Sequence, residues 1–375
     1  MSFRQYLKTI VVFSSVLLPG FFSINVLSQS YDDHGSAHGL HDEDHIIAEK
    51  DVYNPGEKII DHIVDSHDWH ILSYTSSDGQ KHHVSIPLPI ILLDEGNLIT
   101  FWSSKFHHGH SSYKGYKLET SGENKGKIMN VQAGIEPPMD LSITKNVASI
   151  IISSFLLCLI FISVARAYTR RKGEAPKGFQ SFLEPAIIFI RDDVAKSSIG
   201  KHYERFVPFL LTLFFFILFS NLLGLIPVFP GGANVTGNLA VTGVLALFTM
   251  LITAFSGNRA YWQHIFNTPG VPWWLKIPIP LIPIIELLGA FTKPFVLMVR
   301  LFANITAGHI IILGFISLIF IFGNVNMYLG YGVSVVSVMF ALFISLLEIL
   351  VAFIQAYVFT LLSALYFGMA TEEHH

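Results

Sequence analysis

Long, uninterrupted apolar runs dominate the pattern of hydrophobic and polar positions along this chain. From Phe206 to Gly257 the sequence contains no Asp, Glu, Lys, Arg or His. About 20 apolar residues in a helix span one bilayer, and a water-soluble fold cannot bury so long a neutral stretch. The runs predict an all-α polytopic membrane protein with five membrane helices, at about residues 147–165, 206–229, 239–255, 283–322 and 333–370.

The last two apolar runs are too long for a perpendicular crossing. As helices they would each extend about 55–60 Å, whereas the hydrocarbon core of a bilayer is about 30 Å thick. A strong tilt accommodates such length. We therefore expect a long, strongly tilted helical hairpin, joined by the short uncharged turn at residues 323–326.

A different pattern occupies residues 179–196. Seven apolar residues share one helical face there, while charged residues lie off that face: Phe179, Phe182, Leu183, Ala186, Ile187, Ile190 and Val194. This amphipathic pattern is typical of a helix that lies in the membrane interface. Pro185 is favoured at the first turn of a helix and is expected to mark its start.

The N-terminus has the layout of a secretory signal peptide over residues 1–30. Arg4 and Lys8 precede an uncharged apolar stretch, and small residues follow, with cleavage expected after Ser28. The apolar stretch is also long enough for an uncleaved anchor. In both cases the residues that follow are exported.

Residues 31–144 read as a His-rich extracytoplasmic segment that begins disordered and continues as a small β-rich domain. Its first part has no periodicity. Further on, two apolar runs flank Asp78-Gly79, which is a hairpin signal. Strands are also expected in NLITFWSSKF and YKGYKLETSG.

Composition and charge agree with a membrane protein and indicate its orientation. Of 375 residues, 51% are apolar and 14% charged, and the mean hydropathy is +0.52. The net charge of −3 gives no indication of nucleic-acid binding, and the single cysteine, Cys158, excludes an internal disulfide. Nine Lys and Arg residues lie between positions 166 and 205, whereas the loops at 230–238 and 323–332 have none. Basic loops stay cytoplasmic, so residues 31–144 are expected outside the cell and the C-terminus inside, with residues 145–375 in the bacterial inner membrane.

The long hairpin carries few polar side chains. An ionisable group within a membrane helix costs several kcal/mol unless it is paired or hydrated, so each is a candidate for function. The alternative for any one of them is a structural ion pair between helices. The candidates are Glu286, Lys293, Arg300, Asn304, His309, Glu348 and Gln355.

Spacing and chemistry divide these candidates. Glu286, Lys293 and Arg300 recur every seven residues and share one helical face, which Asn304 extends. His309 lies about 180° away from Arg300 around the helix. Arginine does not deprotonate at accessible pH, so it can hold a carboxylate ionised but cannot relay protons. Histidine and glutamate can relay them.

Three ordered motifs resemble subunit a of F-type ATP synthases. The run KPFVLMVRLFANITAGH (293–309) is similar to the signature helix of that family. The stretch FSNLLGLIP (219–227) resembles its N-L-x-x-L-x-P element, and QAYVFTLLSALYFGMATEEH (355–374) resembles its last helix. The similarity covers about residues 145–375.

The resemblance implies a non-catalytic stator subunit with no cofactor and no metal, which gives protons two half-channels to a rotating ring of c subunits. Its other partners would be the b subunits of the peripheral stalk, the rest of the ATP synthase and membrane lipid. Arg300 matches the essential arginine, Asn304 and Gln355 match polar positions near it, and Glu286 matches an acidic position at the cytoplasmic exit. His309 and Glu348 are exchanged relative to familiar bacterial members. The exported segment lies outside the family core, so the resemblance predicts that proton conduction does not need it.

A second hypothesis is a stand-alone cation transporter with a metal-capturing exported domain. His-rich tracts can bind zinc, copper or nickel, but the histidines here have no closed ligand spacing. A transporter of that kind would also show inverted repeats with broken helices, which the sequence lacks. The choice between H⁺ and Na⁺ stays open, because it depends mainly on the ring.

Overall fold

The computed structural model describes residues 55–75, 81–120, 122, 124–131, 137–171, 174–226, 229–266 and 281–372. The predicted signal peptide and the start of the His-rich segment lie outside the described residues. The predicted turn at Asp78-Gly79 lies outside them as well.

A small domain of mixed structure precedes the membrane helices, and we call residues 55–144 the N-terminal domain. It begins with helix α1, Pro55–Ile63. Its strands are β1 Asp68–Thr75, β2 Lys81–Pro87, β3 Pro89–Asp94, β4 Asn97–Trp102, β5 Tyr116–Leu118, β6 Ile128–Asn130 and β7 Met139–Asp140. Antiparallel β1 and β2 form one sheet, β4-β3-β7 a second and β5-β6 a third. The predicted β-rich domain is therefore present, with strands in both sequences named for them.

The core of the N-terminal domain forms where β3 alternates its side chains. Ile90 and Leu92 point inward and are almost fully buried, because successive residues of a strand face opposite sides of the sheet. They pack with Phe106, Tyr116 and Ile128. This small cluster is separate from the core of the helices.

Seven helices of eight or more residues follow in the described part of the chain: α2 Lys145–Arg170, α3 Phe179–Ile188, α4 Tyr203–Leu225, α5 Leu239–Ser256, α6 Arg259–Phe266, α7 Leu281–Val325 and α8 Met327–Thr371. Within the described part of the chain, five helical segments are long and apolar enough to cross a membrane. This confirms the polytopic all-α fold. Most observed helices extend beyond the predicted bounds, because polar residues continue the helical turns that apolar runs begin. The second span is the exception at one end, since it stops at Leu225 rather than at residue 229.

The segment predicted as an interfacial helix at 179–196 differs in two respects from its prediction. The helix starts at Phe179, so Pro185 lies inside it rather than at its start. A π-helical stretch, Phe189–Lys196, then continues toward α4 with short helical turns. Leu183 and Ile190 are buried, whereas Phe179 and Phe182 are exposed. The predicted apolar face is thus divided between the protein core and the surface.

Helix α4 lies at the centre of the bundle. The residues from Phe206 to Ile217 are all buried, and their aromatic rings contact rings of α2 and α8. Phe215 packs against Phe161 of α2 at 4.8 Å between ring centroids, and Phe206 stacks on Phe367 of α8 at 4.9 Å. A helix that is apolar all round is typical of such a buried position.

Helices α7 and α8 form the predicted hairpin, each with 45 residues. Each is therefore about 67 Å long at 1.5 Å per residue. Asn326 caps α8 by accepting a hydrogen bond from the Tyr328 amide at 2.9 Å. Gly330 lies against Gly323, where neither helix carries a side chain. The hairpin leaves most of its apolar surface uncovered by the rest of the chain.

The N-terminal domain is packed onto the helices at one end of the bundle, which we call the domain end. Trp69 and Leu88 belong to the same buried cluster as the membrane helices. The Trp69 ring meets Phe229, in the loop between α4 and α5, edge to face at 5.1 Å. Helix α1 packs against α7. Burying one such aromatic side chain contributes about 2–3 kcal/mol, so the contact is a stable one.

A buried ion pair closes this domain near the start of α2. His67 Nε2 lies 2.7 Å from Asp140 Oδ2, with both side chains almost inaccessible. Burial lowers the pKa of His67, but the hydrogen bond to Asp140 and the negative charges of Asp140, Asp65 and Asp68 outweigh burial and raise it above 6.5. Burial raises the pKa of Asp140, but the bonds from His67 and Ser142 outweigh burial and lower it below 3.8.

We expect the pair to stabilise the domain less as pH rises. The stabilisation that His67 contributes is complete below the pKa of an unfolded histidine, about 6.5. It is lost as pH rises through the raised pKa of His67 in the folded protein. The pair's aspartate contribution is lost only as pH falls through a folded pKa below 3.8. His67→Gln should therefore destabilise the domain by about 2 kcal/mol near pH 5.5, and by less above pH 8. Hydrogen exchange of residues 139–144, compared between variant and parent at each pH, measures this.

The matched control is His110→Gln, at an exposed histidine of the same domain. It should leave exchange unchanged at every pH. A His67→Gln effect that does not vary with pH would contradict a charged pair.

Candidate functional site

Arg300 lies on the exposed side of α7, in the middle of the helix. Asn304, one turn further on, is exposed as well. Neither residue makes a hydrogen bond or ion pair with another side chain in the described part of the chain. An arginine on an apolar helix surface without a partner in its own chain is costly in a bilayer. The described residues therefore leave the Arg300 guanidinium open to a group from outside them.

His309 and Glu348 form a buried pair across the hairpin. His309 Nδ1 lies 3.5 Å from Glu348 Oε1, and the side chains are 14% and 9% exposed. This distance suits an ion pair, but the atoms do not have hydrogen-bond geometry, and both Glu348 oxygens lack a hydrogen-bond partner in the described part of the chain. Buried polar atoms of this kind normally form hydrogen bonds with ordered water or with a neighbouring polar group.

Gly308 makes room for the carboxylate of Glu348. A Cβ at this position would overlap Glu348 Oε1 and come within 3.0 Å of its Cδ and Cγ. The glycine therefore accommodates the glutamate where the two helices approach closely, and an added methyl group would make the Glu348 side chain shift. The sequence placed Gly308 in a motif but gave no reason for it.

A polar cluster lies beside the pair at the domain end. Thr236 donates a hydrogen bond to Asn221 Oδ1 at 2.5 Å, and Thr306 of α7 donates to the Gly237 carbonyl at 3.4 Å. The Asn221 Nδ2 and Asn234 Nδ2 atoms are buried without partners in the described part of the chain. The cluster joins the loop between α4 and α5 to the turn of α7 that precedes His309.

Two further contacts lie on the opposite side of Arg300. Lys293 Nζ sits 5.7 Å from the centre of the Tyr366 ring, and His264 Nδ1 of α6 is 4.0 Å from Glu286 Oε2. Glu286 and Lys293 precede Arg300 on α7, whereas His309 follows it by about 14 Å along the axis. The structure thus places polar groups in two separate regions, one on each side of the arginine.

Gln355 is buried on α8, two turns from Glu348. Among the described residues, no hydrogen bond joins it to Arg300 or Asn304. Of the seven candidates, the structure brings only His309 and Glu348 together directly. The others are arranged along the hairpin, with Arg300 between the two polar regions.

Several polar residues at the site were not singled out from the sequence. Asn221 occurs in a motif but was given no role. His264 and Tyr366 lie on other helices, and only packing brings them to Glu286 and Lys293. Thr236 and Thr306 have ordinary sequence contexts, and no signal in the sequence could have identified them.

The chain matches known proteins over its membrane part. The family model described as ATP synthase A chain matches residues 147–368. ATP synthase subunit a of Chloroherpeton thalassium is 49% identical over 244 residues, covering 63% of this chain and 69% of that protein. ATP synthase subunit a 2 of Chlorobaculum tepidum is 51% identical over 240 residues, covering 62% and 64%. For a relative from Anaeromyxobacter sp., identity is 41% and coverage 63% and 56%.

A second family model matches the N-terminal domain. It is described as a domain of unknown function, DUF8433, and covers residues 58–148. The match ends just inside α2, so it includes the junction between this domain and the first membrane helix.

We predict that Gly308→Ala destabilises the hairpin by about 1–3 kcal/mol, because the added methyl group forces Glu348 or the helices apart. Gly314→Ala is the matched control on the same helix, where a Cβ would meet nothing within 4 Å. It should be neutral or stabilise by up to about 1 kcal/mol, since alanine is the better helix former. Thermal unfolding of the purified protein in lipid discs measures both.

The double variant Gly308→Ala with Glu348→Ala isolates the cause. If the methyl group acts through the carboxylate, the two changes should cost less together than the sum of the single changes. Strictly additive costs would show that the two residues do not meet.

Proposed function

This chain belongs to the ATP synthase A chain family, and from that premise we propose that it is the stator that offers protons two half-channels to a rotating ring of c subunits. The observation that carries the proposal is the position of Arg300. It lies exposed on the uncovered face of the hairpin, between two separate polar regions. A single ring carboxylate that passes Arg300 could exchange protons with one region before it and the other region after it.

The uncovered hairpin suits a ring of helices as its partner. The most apolar window of α7 is only 11% buried within this chain, against 78% for the segment that contains α4. Lipid or partner helices must cover such a surface. The b subunits and the remaining ATP synthase complete the complex, and no catalytic or cofactor role falls to this chain.

Orientation follows from the distribution of Lys and Arg. The loops rich in these residues stay in the cytoplasm, which places the N-terminal domain outside and the C-terminus inside. The His309 region then opens to the outside, and the Glu286 and Lys293 region opens to the cytoplasm of a bacterial cell.

A proton from outside enters by the polar cluster that contains Asn221 and reaches the His309–Glu348 pair. It then passes to a ring carboxylate, which becomes neutral and can rotate into lipid. After nearly a full turn the carboxylate meets the second region and releases its proton past Lys293 and Glu286. His264, beside Glu286, extends this exit toward the cytoplasm.

Arg300 separates the two regions by its charge. Its guanidinium stays protonated at any accessible pH and keeps the returning carboxylate ionised. It also repels a proton that would otherwise pass directly from inlet to exit. The membrane potential supplies about 2.3 kcal/mol per charge for each 100 mV, so each ATP requires several protons.

The exchanged pair can serve the same relay as its counterpart in familiar members. A histidine on α7 and a glutamate on α8 still meet across the hairpin, at 3.5 Å. Because neither Glu348 oxygen has a hydrogen-bond partner among the described residues, a bridging water is the simplest link between them.

The transporter alternative gains no support. In the described part of the chain, no group of three or more His, Cys, Asp or Glu residues is arranged to hold a metal ion. Of the nine histidines that motivated the alternative, four lie outside the described residues, namely His34, His38, His41 and His45, and five lie within them, namely His82, His83, His107, His108 and His110.

We predict that Arg300→Ala abolishes coupled ATP synthesis in an assembled complex, because the charge that separates the two regions is lost. Arg300→Lys should also fail, since a desolvated ammonium can give up its proton and lacks the planar guanidinium. ATP synthesis and proton pumping in membrane vesicles, divided by the amount of assembled subunit, measure both.

The competing interpretation is a purely structural arginine. It predicts poor assembly together with normal coupling in whatever complex survives. Assembled and fully coupled Arg300→Ala enzyme would therefore refute the proposed role.

We also predict that the double exchange His309→Glu with Glu348→His retains more ATP-driven pumping than either single change. A pair in contact should show an interaction free energy of about 0.5–3 kcal/mol, whereas independent residues show none. Additive losses in the double variant would mean that the two residues do not act together.

A further inference from the structure

The junction between the N-terminal domain and α2 is built around Asp65. Its Oδ2 accepts a hydrogen bond from Thr144 Oγ1 at 2.7 Å, and its Oδ1 accepts one from the Asn146 amide at 3.0 Å. The backbone joins the same parts, since the Lys145 amide donates to the Ser66 carbonyl at 2.8 Å. A carboxylate at a helix N-terminus satisfies free amides and complements the helix dipole. The domain thus supplies the cap of the first membrane helix.

Asn146 begins a row of buried polar atoms that lack partners. Its side chain is 3% exposed, and its Oδ1 has no hydrogen-bond partner in the described part of the chain. Two turns further along α2, Ser153 Oγ is also buried without a hydrogen-bond partner among the described residues. The same is true of Ser220 Oγ on α4. Apolar helix packing does not account for such atoms, whereas bound water does.

These atoms lead from the junction toward the proposed inlet. Phe161 of α2 and Phe215 of α4 are in contact and fix the relative height of the two antiparallel helices. Ser153 and Asn221 lie about 12 Å and about 9 Å beyond that contact, so they are at nearly the same level. Asn146 lies about 10 Å from Ser153 along α2, on the side toward the N-terminal domain. Asn221 already belongs to the polar cluster beside His309.

The domain also sets the charge at the head of this row. Asp65, Asp68, His67 and Asp140 come from the domain, and Lys145 comes from α2. Three carboxylates face one lysine and one histidine, so the local potential favours cations. Such a potential raises the local concentration of protons at an entrance.

We propose that the N-terminal domain forms the outer mouth of the proton inlet, with Asp65 as the residue that positions Asn146 at its head. The proposal rests on the function proposed above and adds a part that the ATP synthase A chain match, residues 147–368, does not include. It differs from the expectation from sequence that proton conduction does not need this segment, and the experiments below decide between the two. Two contacts hold this outer mouth in place: Trp69 packs against Phe229, and α1 packs against α7.

Asp65→Asn tests the positioning residue. The new side-chain amide keeps an oxygen that can accept the hydrogen bond from the backbone N–H of Asn146. It removes the negative charge beside Lys145. The matched control is Asp94→Asn, which makes the same charge change in the same domain. Asp94 accepts hydrogen bonds from Tyr116 and Asn130 at the far end of β3, about 20 Å along the strand from Leu88, the residue that packs in the core of the helices.

The measurement uses the complete ATP synthase in lipid vesicles with its soluble head outward, so that the N-terminal domain faces the lumen. ATP synthesis is driven by a fixed potassium diffusion potential at constant external pH. The luminal pH is varied over about pH 5–8, and rates are divided by assembled subunit. Asp65→Asn should lose activity several-fold at high luminal pH, where protons are scarce, and much less at low luminal pH. Asp94→Asn should follow the parent enzyme.

Two results would overturn the proposal. One is an Asp65→Asn profile that superimposes on the parent profile, and the other is an equal change in Asp94→Asn. Arg300→Ala measured in parallel separates the two proposals. Active Arg300→Ala refutes the stator function, whereas inactive Arg300→Ala beside an unchanged Asp65→Asn refutes only the role of the domain.

A crosslink provides a test that does not depend on the Asp65 variants. Trp69→Cys and Phe229→Cys, in a Cys158→Ser background, would be joined by a short thiol-reactive crosslinker. If the domain is a fixed part of the inlet, the crosslinked enzyme should synthesise ATP at the rate of the same protein before crosslinking. Loss of synthesis on crosslinking and recovery on reversal would show that the domain must move away, which contradicts a fixed mouth.

Discussion

Every polar side chain that α7 and α8 carry into the bilayer must find a partner, because hydrocarbon offers none. The two helices meet this constraint in different ways along their length. At His309 and Glu348 the partner is the other helix, and Gly308 makes the approach close enough. At Arg300 the hairpin provides no partner in the described part of the chain, and the side chain is left on the uncovered face. The function that we propose depends on both kinds of position, the one where the two helices pair their polar groups and the one where they leave a polar group unpaired.

The rest of the bundle holds this hairpin in one arrangement. Helix α4 is packed on all sides and fills the space behind α8 through Phe206 and Phe367. Helix α5 continues the support, since its Thr249 and Ser363 of α8 share a hydrogen bond at 3.3 Å. Close-packed interiors resist small displacements, so the polar groups on α7 and α8 keep their spacing while a partner moves past them.

The N-terminal domain extends the same logic beyond the membrane helices. It has a small core of its own, yet Trp69 and Leu88 are packed in the bundle's core. Its carboxylates cap and neutralise the start of α2, and the buried His67–Asp140 pair closes the domain directly behind that junction. This close attachment at the head of a row of buried polar atoms is the basis for our proposal that the domain takes part in proton entry.

Sequence alone determined the class and the helices, and it singled out the residues on which the proposed mechanism depends. Uninterrupted apolar runs have one physical solution in a bilayer, so the five helices were predictable to within a few residues at most of their ends. The rarity of charge inside those runs made Arg300, His309 and Glu348 candidates for function, because an ionisable group inside a membrane helix is costly. Even the β-rich domain was predictable, from alternating apolar residues around a turn.

Only the tertiary structure decided which of these groups meet. Local patterns do not report contacts between residues far apart in the chain, and for this reason His264, Tyr366 and Thr306 carried no signal. The division of the apolar face at Leu183 and Phe182 depends on where α3 meets the core, which periodicity cannot reveal. The role of Asp65 is the clearest case. Its carboxylate lies 79 residues from Thr144 in sequence, and tertiary contacts such as the His67–Asp140 pair and the bond from the Lys145 amide to the Ser66 carbonyl hold the two segments together at the head of α2.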